Sequence, residues 1–330
     1  MRRLIFIIVL PLVFTACGNE QTGIDHPAYH NPLVQPCTDS IAAAPDDAGL
    51  YYRRAEALSE VGADSMALVD VTHALNLDRN NAQYLYTKGY FEGKLGHHEA
   101  AIQSLEQSLR YSPGNVSVRL LIGRNMLALK KNKEAGLEAE KILAAAPGHP
   151  AATMLLSAVL AAQKDTAGAM EKLRNLLQTQ PYDYEASYNL AALMAAHNDP
   201  KAVQQFGYTF NIDTVDVQPL QDIGDYYLSH GNKAAAEAAY INCIKHDRNY
   251  GGAYVALGKI YLEDKKNDKA LRHFNLAVAN NPDDAVAYYW KGACMQQMQQ
   301  TDSAKVAYRQ ALRLNGDLEE ARAALSKMEK

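Results

Sequence analysis

The stretch His98-Glu99-Ala100-Ala101-Ile102 opens like a zinc-protease helix. In that chemistry two histidines at i and i+4 hold the metal, and the glutamate between them activates water. Here Ile102 stands where the second histidine is required, so no zinc site follows. Other reactive residue types are as sparse. Cys37, Cys243 and Cys294 show no C-x-x-C spacing, and three thiols cannot all pair. Cys243 and Cys294 fall in the small or apolar pattern of a helix, which reads as buried structural thiols. No Gly-x-Ser-x-Gly elbow or phosphate-binding loop occurs. Glu319 and Glu320 read as helix-surface charges rather than an acid/base pair. The residues therefore imply no enzyme, no metal and no cofactor.

Composition narrows the classes further. The chain has 330 residues, 48% of them apolar, which is ample for a core. Its net charge is −4, and removing Arg2 and Arg3 would leave −6. No basic stripe appears, so nucleic acid is not expected as a partner. Alanine is abundant and β-branched runs are few after the first residues, which favours helix throughout.

One small residue recurs along the chain: Ala55, Gly89, Gly123, Ser157, Ala191, Gly224, Gly258 and Gly292. The steps are 34 residues, except for one of 33 between Ala191 and Gly224. A second column holds Ala67, Ala101, Ala135, Ala169, Ala202, Ala236, Ala270 and Ala304. A third, four residues later, holds Val71, Leu105, Ala139, Leu173, Phe206, Tyr240, Phe274 and Tyr308. Glycine inside a helix costs about 1 kcal/mol relative to alanine, so something must need the missing side chain. The closest approach of two packed helices supplies that need. Pro113, Pro147, Pro181 and Pro282 mark the ends of successive pairs.

This pattern resembles the tetratricopeptide repeat family, whose unit is a 34-residue helix–turn–helix. The resemblance implies an all-α, right-handed α-solenoid of about eight repeats with a C-terminal capping helix. The repeats fall at 48–81, 82–115, 116–149, 150–183, 184–216, 217–250, 251–284 and 285–318. A capping helix follows at 319–330, with Ala321, Leu325 and Met328 on one stripe. Repeat 5 is one residue short, in the turn His197-Asn198-Asp199-Pro200. Asp199 suits an N-cap and Pro200 the first helical position. That turn is either a joint between repeats 1–4 and 6–8 or harmless drift. A degenerate half-repeat is expected at 38–47, from Ile41-Ala-Ala-Ala-Pro45.

The N-terminus reads as a targeting signal. Arg2 and Arg3 precede an apolar run, Leu4 to Phe14, too short to span a bilayer as a helix. Phe14-Thr15-Ala16-Cys17 resembles the lipobox of bacterial lipoproteins, although Phe14 replaces the usual leucine. The resemblance implies a signal peptide at 1–16 and lipid on Cys17. Gly18 after the cysteine favours the outer membrane. Residues 17–37 would form a tether, reaching about 25 Å as a flexible coil.

In the resembled family, the first helix of each pair lines a concave groove. Its register places Tyr52, Glu56 and Glu60 there from repeat 1, and Tyr86, Tyr90 and Lys94 from repeat 2. Arg124, Met154, Tyr188, Lys259 and Tyr289 follow from later repeats. Tyrosine takes the fifth position of repeats 1, 2, 5 and 8, and its broad ring with one polar handle suits recognition. The floor of repeats 3–5 is almost uncharged, which suits an extended or helical partner segment with apolar side chains down. On that reading, glutamate at Met154 or Tyr188 abolishes capture of the partner and leaves thermal unfolding nearly unchanged. Chaperone-binding relatives clamp a terminal carboxylate with lysines and asparagines; Tyr86, Tyr90 and Leu120 stand there instead. The expected function is a membrane-anchored scaffold or adaptor of the bacterial cell envelope, binding a protein segment. A glycan- or small-molecule-binding lipoprotein and a structural spacer are the alternatives.

Overall fold

The computed structural model describes residues 26–329. The expected signal peptide and Cys17 lie outside them. Among the described residues the chain forms eighteen α-helices and no strand. It divides into two units, one ending at Ile142 and one starting at Leu143.

The N-terminal unit begins with a 3₁₀ turn, Pro27–His30. It continues through α1 (Gln35–Ala43), α2 (Ala48–Glu60), α3 (Asp64–Leu77) and α4 (Ala82–Lys94). Then come α5 (His98–Tyr111), α6 (Val116–Ala128) and α7 (Asn132–Ala145), within which the units part. Helices α2 to α5 each pack on the next. Short turns and an apolar stripe per helix leave antiparallel neighbours as the way to bury those stripes.

The C-terminal unit contains α8 (Pro150–Ala162), α9 (Thr166–Thr179), α10 (Tyr184–Ala196), α11 (Ala202–Ile212) and α12 (Gln218–Ser229). It continues with α13 (Lys233–His246), α14 (Gly251–Glu263), α15 (Asn267–Asn280), α16 (Ala285–Gln297), α17 (Thr301–Leu314) and α18 (Glu319–Met328). Here too each helix packs on its successor. Both units are α-solenoids of helix pairs. Helix α18 closes the stack by setting Ala321, Leu325 and Met328 against Tyr308 and its neighbours.

The recurring small residue is explained by what faces it. A Cβ on Gly89 would sit 2.6 Å from Leu105. On Gly224 it would sit 2.3 Å from the Tyr240 ring, and on Gly258 2.5 Å from Phe274. The bulk of the third column therefore occupies the space that the first column vacates, sixteen residues earlier in the same pair. Tyr240, Phe274 and Tyr308 are among the largest fully buried side chains. Cys243 and Cys294 are free and buried, as their surroundings suggest.

Two sequence expectations need correction. The stretch assigned to the tether is folded from His26 onward. Tyr29 and Val34 are buried, and α1 starts at Gln35. The anchor is Arg54, whose guanidinium lies 4.2 Å from the Tyr29 ring centroid and makes a two-pronged ion pair with Asp70, at 2.6 and 2.8 Å. A charged pair this buried is stable only with both partners present. Composition misled here because Pro27 and Pro32 suggest coil, whereas one buried tyrosine and one valine suffice to dock the segment.

The short turn of repeat 5 is not where the units part; they part inside α7. Every turn within a pair passes through a left-handed residue: Gly62, Gly96, Lys130, Lys164, Asn198, Gly231, Lys265 and Gln299. Asn198 keeps this place, so the deletion falls after it and shortens the following helix. Helix α11 has 11 residues where its counterparts have 14. Asp199 accepts from the Lys201 backbone N–H, but the helix starts at Ala202, so Pro200 precedes it rather than opening it. Ala191 and Ala202 remain fully buried, and the pair packs as the others do.

Candidate functional site

In the N-terminal unit, α2 and α4 place their groove-side residues next to each other. Tyr52, Glu56 and Glu60 recur every four residues along α2, and Tyr86 and Tyr90 do the same on α4. Such spacing puts each set on one stripe. Asn81 starts α4 by accepting the Gln83 and Tyr84 N–H groups on its side-chain oxygen. This cap aims Tyr84 so that its ring stacks on Tyr52, 5.0 Å between centroids. The Tyr52 hydroxyl accepts a hydrogen bond from Gln83 Nε2 at 3.2 Å. Behind them, buried Phe91 supports the exposed Tyr90 ring edge-on at 5.4 Å.

The result is an open hollow of about 390 Å³, lined by Tyr52, Glu56, Ser59, Glu60, Gln83, Tyr86, Thr87, Tyr90 and Phe91. Its nearby cations are already engaged. Lys94 pairs with Asp64 at 2.8 Å, and Lys88 reaches Glu92 at 3.6 Å. Glu56 and Glu60 are exposed and, among the described residues, form no ion pair. The Tyr86 and Tyr90 hydroxyls likewise have no partner among the described residues. Arg124 is exposed on α6 but does not line the hollow. His98, the zinc-like histidine, instead meets the Asn125 side-chain oxygen at 2.9 Å.

The C-terminal unit treats its tyrosines differently. The Tyr188 hydroxyl donates to Asp222 at 2.7 Å. Asp222 also accepts from Gln218 Nε2 at 2.9 Å, and Gln218 accepts from the Tyr250 hydroxyl at 2.6 Å. Tyr184 donates to Asp216, and Tyr240 donates to Asp225 at 2.5 Å. Of these bonds, Tyr188–Asp222 joins repeat 5 to repeat 6, and the others brace repeat 5 or repeat 6 from within. Burial pushes the Asp222 carboxyl above the usual carboxylate range. Burial, and then the facing carboxylate, holds the Tyr184 and Tyr188 hydroxyls protonated well above the ordinary tyrosine value. Burial pushes Tyr250 up to about 12.

The remaining expected groove residues are also engaged from within. Met154 and Tyr188 are both partly buried against the cluster around Leu190 and Phe206. Lys259 holds its ammonium 5.0 Å over the Trp290 ring. Tyr289 rests against Trp290 and Tyr308 at 5.1 and 5.8 Å. The expectation that glutamate at Tyr188 spares stability therefore fails, since it would face Asp222 across a partly buried contact. Asp216, Asp222 and Trp290 did not emerge from the groove register. The sequence signal for Asp222 was its place, 34 residues after Tyr188. Among the described residues no group of three or more His, Cys, Asp or Glu side chains could hold a metal.

The tetratricopeptide repeat family matches this sequence over residues 94–159, 222–285 and 285–318. No curated protein matches it. Among solved structures, yeast Tom70 is similar at 12% identity and a TM-score of 0.59, covering 90% of this chain and 77% of Tom70. A tetratricopeptide repeat protein from Parabacteroides merdae is similar at 17% identity and a TM-score of 0.52, covering 76% of this chain and 99% of that one. At such identities the likeness concerns the fold alone.

Proposed function

This chain is a tetratricopeptide repeat protein, and from that premise we propose that it is a lipid-anchored adaptor of the bacterial cell envelope that binds a segment of a partner protein. Repeats of this kind point to a scaffold for protein–protein interaction. The observation that carries the reading is the hollow between α2 and α4. Three tyrosine rings line it, Tyr90 exposed and Tyr52 and Tyr86 half-buried, and the Tyr86 and Tyr90 hydroxyls form no hydrogen bond among the described residues. Its volume falls in the range of ligand sites, about 300–1,000 Å³. Aromatic rings with a polar tip are the residues that dominate binding surfaces. The anchor rests on the sequence: the short apolar run after Arg2 and Arg3, the small residue before Cys17, and Gly18 behind it.

A photoreactive group at Tyr86, introduced in the native host, tests the binding role. One dominant protein adduct is expected, with a second probe at Tyr188 giving little, because that side chain is held by its bond to Asp222. Sugar adducts would instead identify a glycan-binding protein, and no adduct at all a spacer. Metabolic labelling with a fatty acid tests the anchor: label is expected on the native chain and lost in Cys17→Ala. Equal labelling of both would remove lipid at Cys17 from the proposal.

A further inference from the structure

The charge balance of the same hollow says more about its occupant. We infer that it receives a lysine or arginine side chain from the partner's segment, an inference that rests on the protein-binding reading above. Glu56 and Glu60 lie one and two helical turns beyond Tyr52 on α2, facing the stripe of Tyr86 and Tyr90 on α4. Both carboxylates are exposed and unpaired among the described residues. The rim lysine that could neutralise them, Lys94, is held by Asp64 at 2.8 Å. The hollow therefore combines ring faces with uncompensated negative charge.

Each feature selects the same ligand chemistry. Ring faces carry negative potential and attract a cation within about 6 Å of the centroid. A carboxylate next to them adds a charge-assisted hydrogen bond to an ammonium or guanidinium. A terminal carboxylate or a phosphate would instead meet two like charges. A purely apolar side chain would cover the Tyr86 and Tyr90 hydroxyls without giving them a partner, which costs free energy. The long aliphatic stem of lysine or arginine fits both needs, laying carbon on the rings and its head near the acids.

Fluorescence anisotropy with the full chain tests this, using a short labelled peptide of alternating lysine and leucine. The same peptide with every lysine acetylated is the comparison probe. The lysine peptide is expected to bind about tenfold or more tightly than the acetylated one, a gap that narrows as salt rises. Replacing Glu56→Gln and Glu60→Gln together should weaken the lysine peptide by about tenfold. Replacing the exposed helix α5 acids, Glu99→Gln and Glu106→Gln, should leave it unchanged, since they lie outside the hollow. Equal losses from both pairs would reveal mere attraction to a negative protein and overturn the inference. Equal affinity for the two peptides would overturn it while leaving the groove as a binding face. If neither peptide binds, the inference fails, and the crosslinking result at Tyr86 then decides separately whether the groove binds protein at all.

Discussion

Tyr86 and Tyr188 hold the same position of their repeats and are both half-buried, yet the Tyr86 hydroxyl has no hydrogen-bond partner among the described residues and the Tyr188 hydroxyl is bonded into its unit. The difference lies in the next repeat. Repeat 6 presents Asp222 to Tyr188, whereas the matching place opposite Tyr86 is Leu121, and opposite Tyr52 it is Thr87. Leucine offers the ring packing but nothing to its hydroxyl. A residue type at a recognised register position thus does not settle its role; the acceptor one repeat later does. The N-terminal unit thus leaves the Tyr86 and Tyr90 hydroxyls unbonded among its described residues, whereas in the C-terminal unit Tyr188 joins one repeat to the next.

The sharpest way to break this comparison is to put a charge at both tyrosines. Tyr188→Glu would set a second carboxylate against Asp222, and a loss of about 2–3 kcal/mol is expected in denaturant unfolding. Tyr86→Glu gives up part of the ring's packing but meets no facing carboxylate, so a smaller loss of about 1 kcal/mol is expected. Equal losses would mean that both tyrosines are structural. A gentler pair removes only the hydroxyl. Tyr188→Phe should cost about 1–2 kcal/mol, because it strips Asp222 of a donor. Tyr86→Phe should be near neutral by the same measurement, since its hydroxyl has no partner among the described residues.

Alkaline unfolding sharpens the contrast by a different route. Tyr188 keeps its proton above its ordinary value of 10.0 in the folded chain, because of burial and then Asp222. The unfolded chain releases that proton near the ordinary value. Between the two, the folded state binds more protons, so stability is full below about pH 10 and falls as pH rises beyond it. Thermal melts across that range should show the C-terminal unit weakening, and Tyr188→Phe should make its decline shallower. A slope unchanged by the substitution would show that Tyr188 is not among the groups responsible.

The smallest expected effects lie in the turns. Gly96 has φ +83°, and Lys265 occupies the same turn position in the C-terminal unit at φ 60°. A side chain in that left-handed region is strained, so Lys265→Gly should gain about 0.5 kcal/mol, whereas Gly96→Ala should lose about 1 kcal/mol. Opposite signs in thermal melts would confirm that the turn, and not the lysine ammonium, sets the cost. Lys265 forms no ion pair among the described residues, which keeps the test clean.

The repeat itself was legible before any coordinates. Gly224 sixteen residues before Tyr240, and Gly258 sixteen before Phe274, announce a small residue under a large one, and the structure shows those contacts. The stripe of Ala321, Leu325 and Met328 likewise revealed the closing helix. The candidate site was half legible. Tyr52, Glu56, Glu60, Tyr86 and Tyr90 could be placed on the groove side by register, and they line one hollow. Tyr188, Lys259 and Tyr289 could be placed as well, but nothing local disclosed that Asp222, Trp290 and Tyr308 would engage them. The folding of residues 26–37 onto Arg54 was hidden in the same way.

By itself, then, the amino-acid order settled the helices, their pairing and which faces turn inward, because periodic burial and tight turns act over a few residues and repeat every 34. Only the tertiary structure decided which polar groups remain free. A hydroxyl is used or unused according to the acceptor that a neighbouring repeat brings within about 3 Å, and that distance is a property of packing rather than of spacing along the chain.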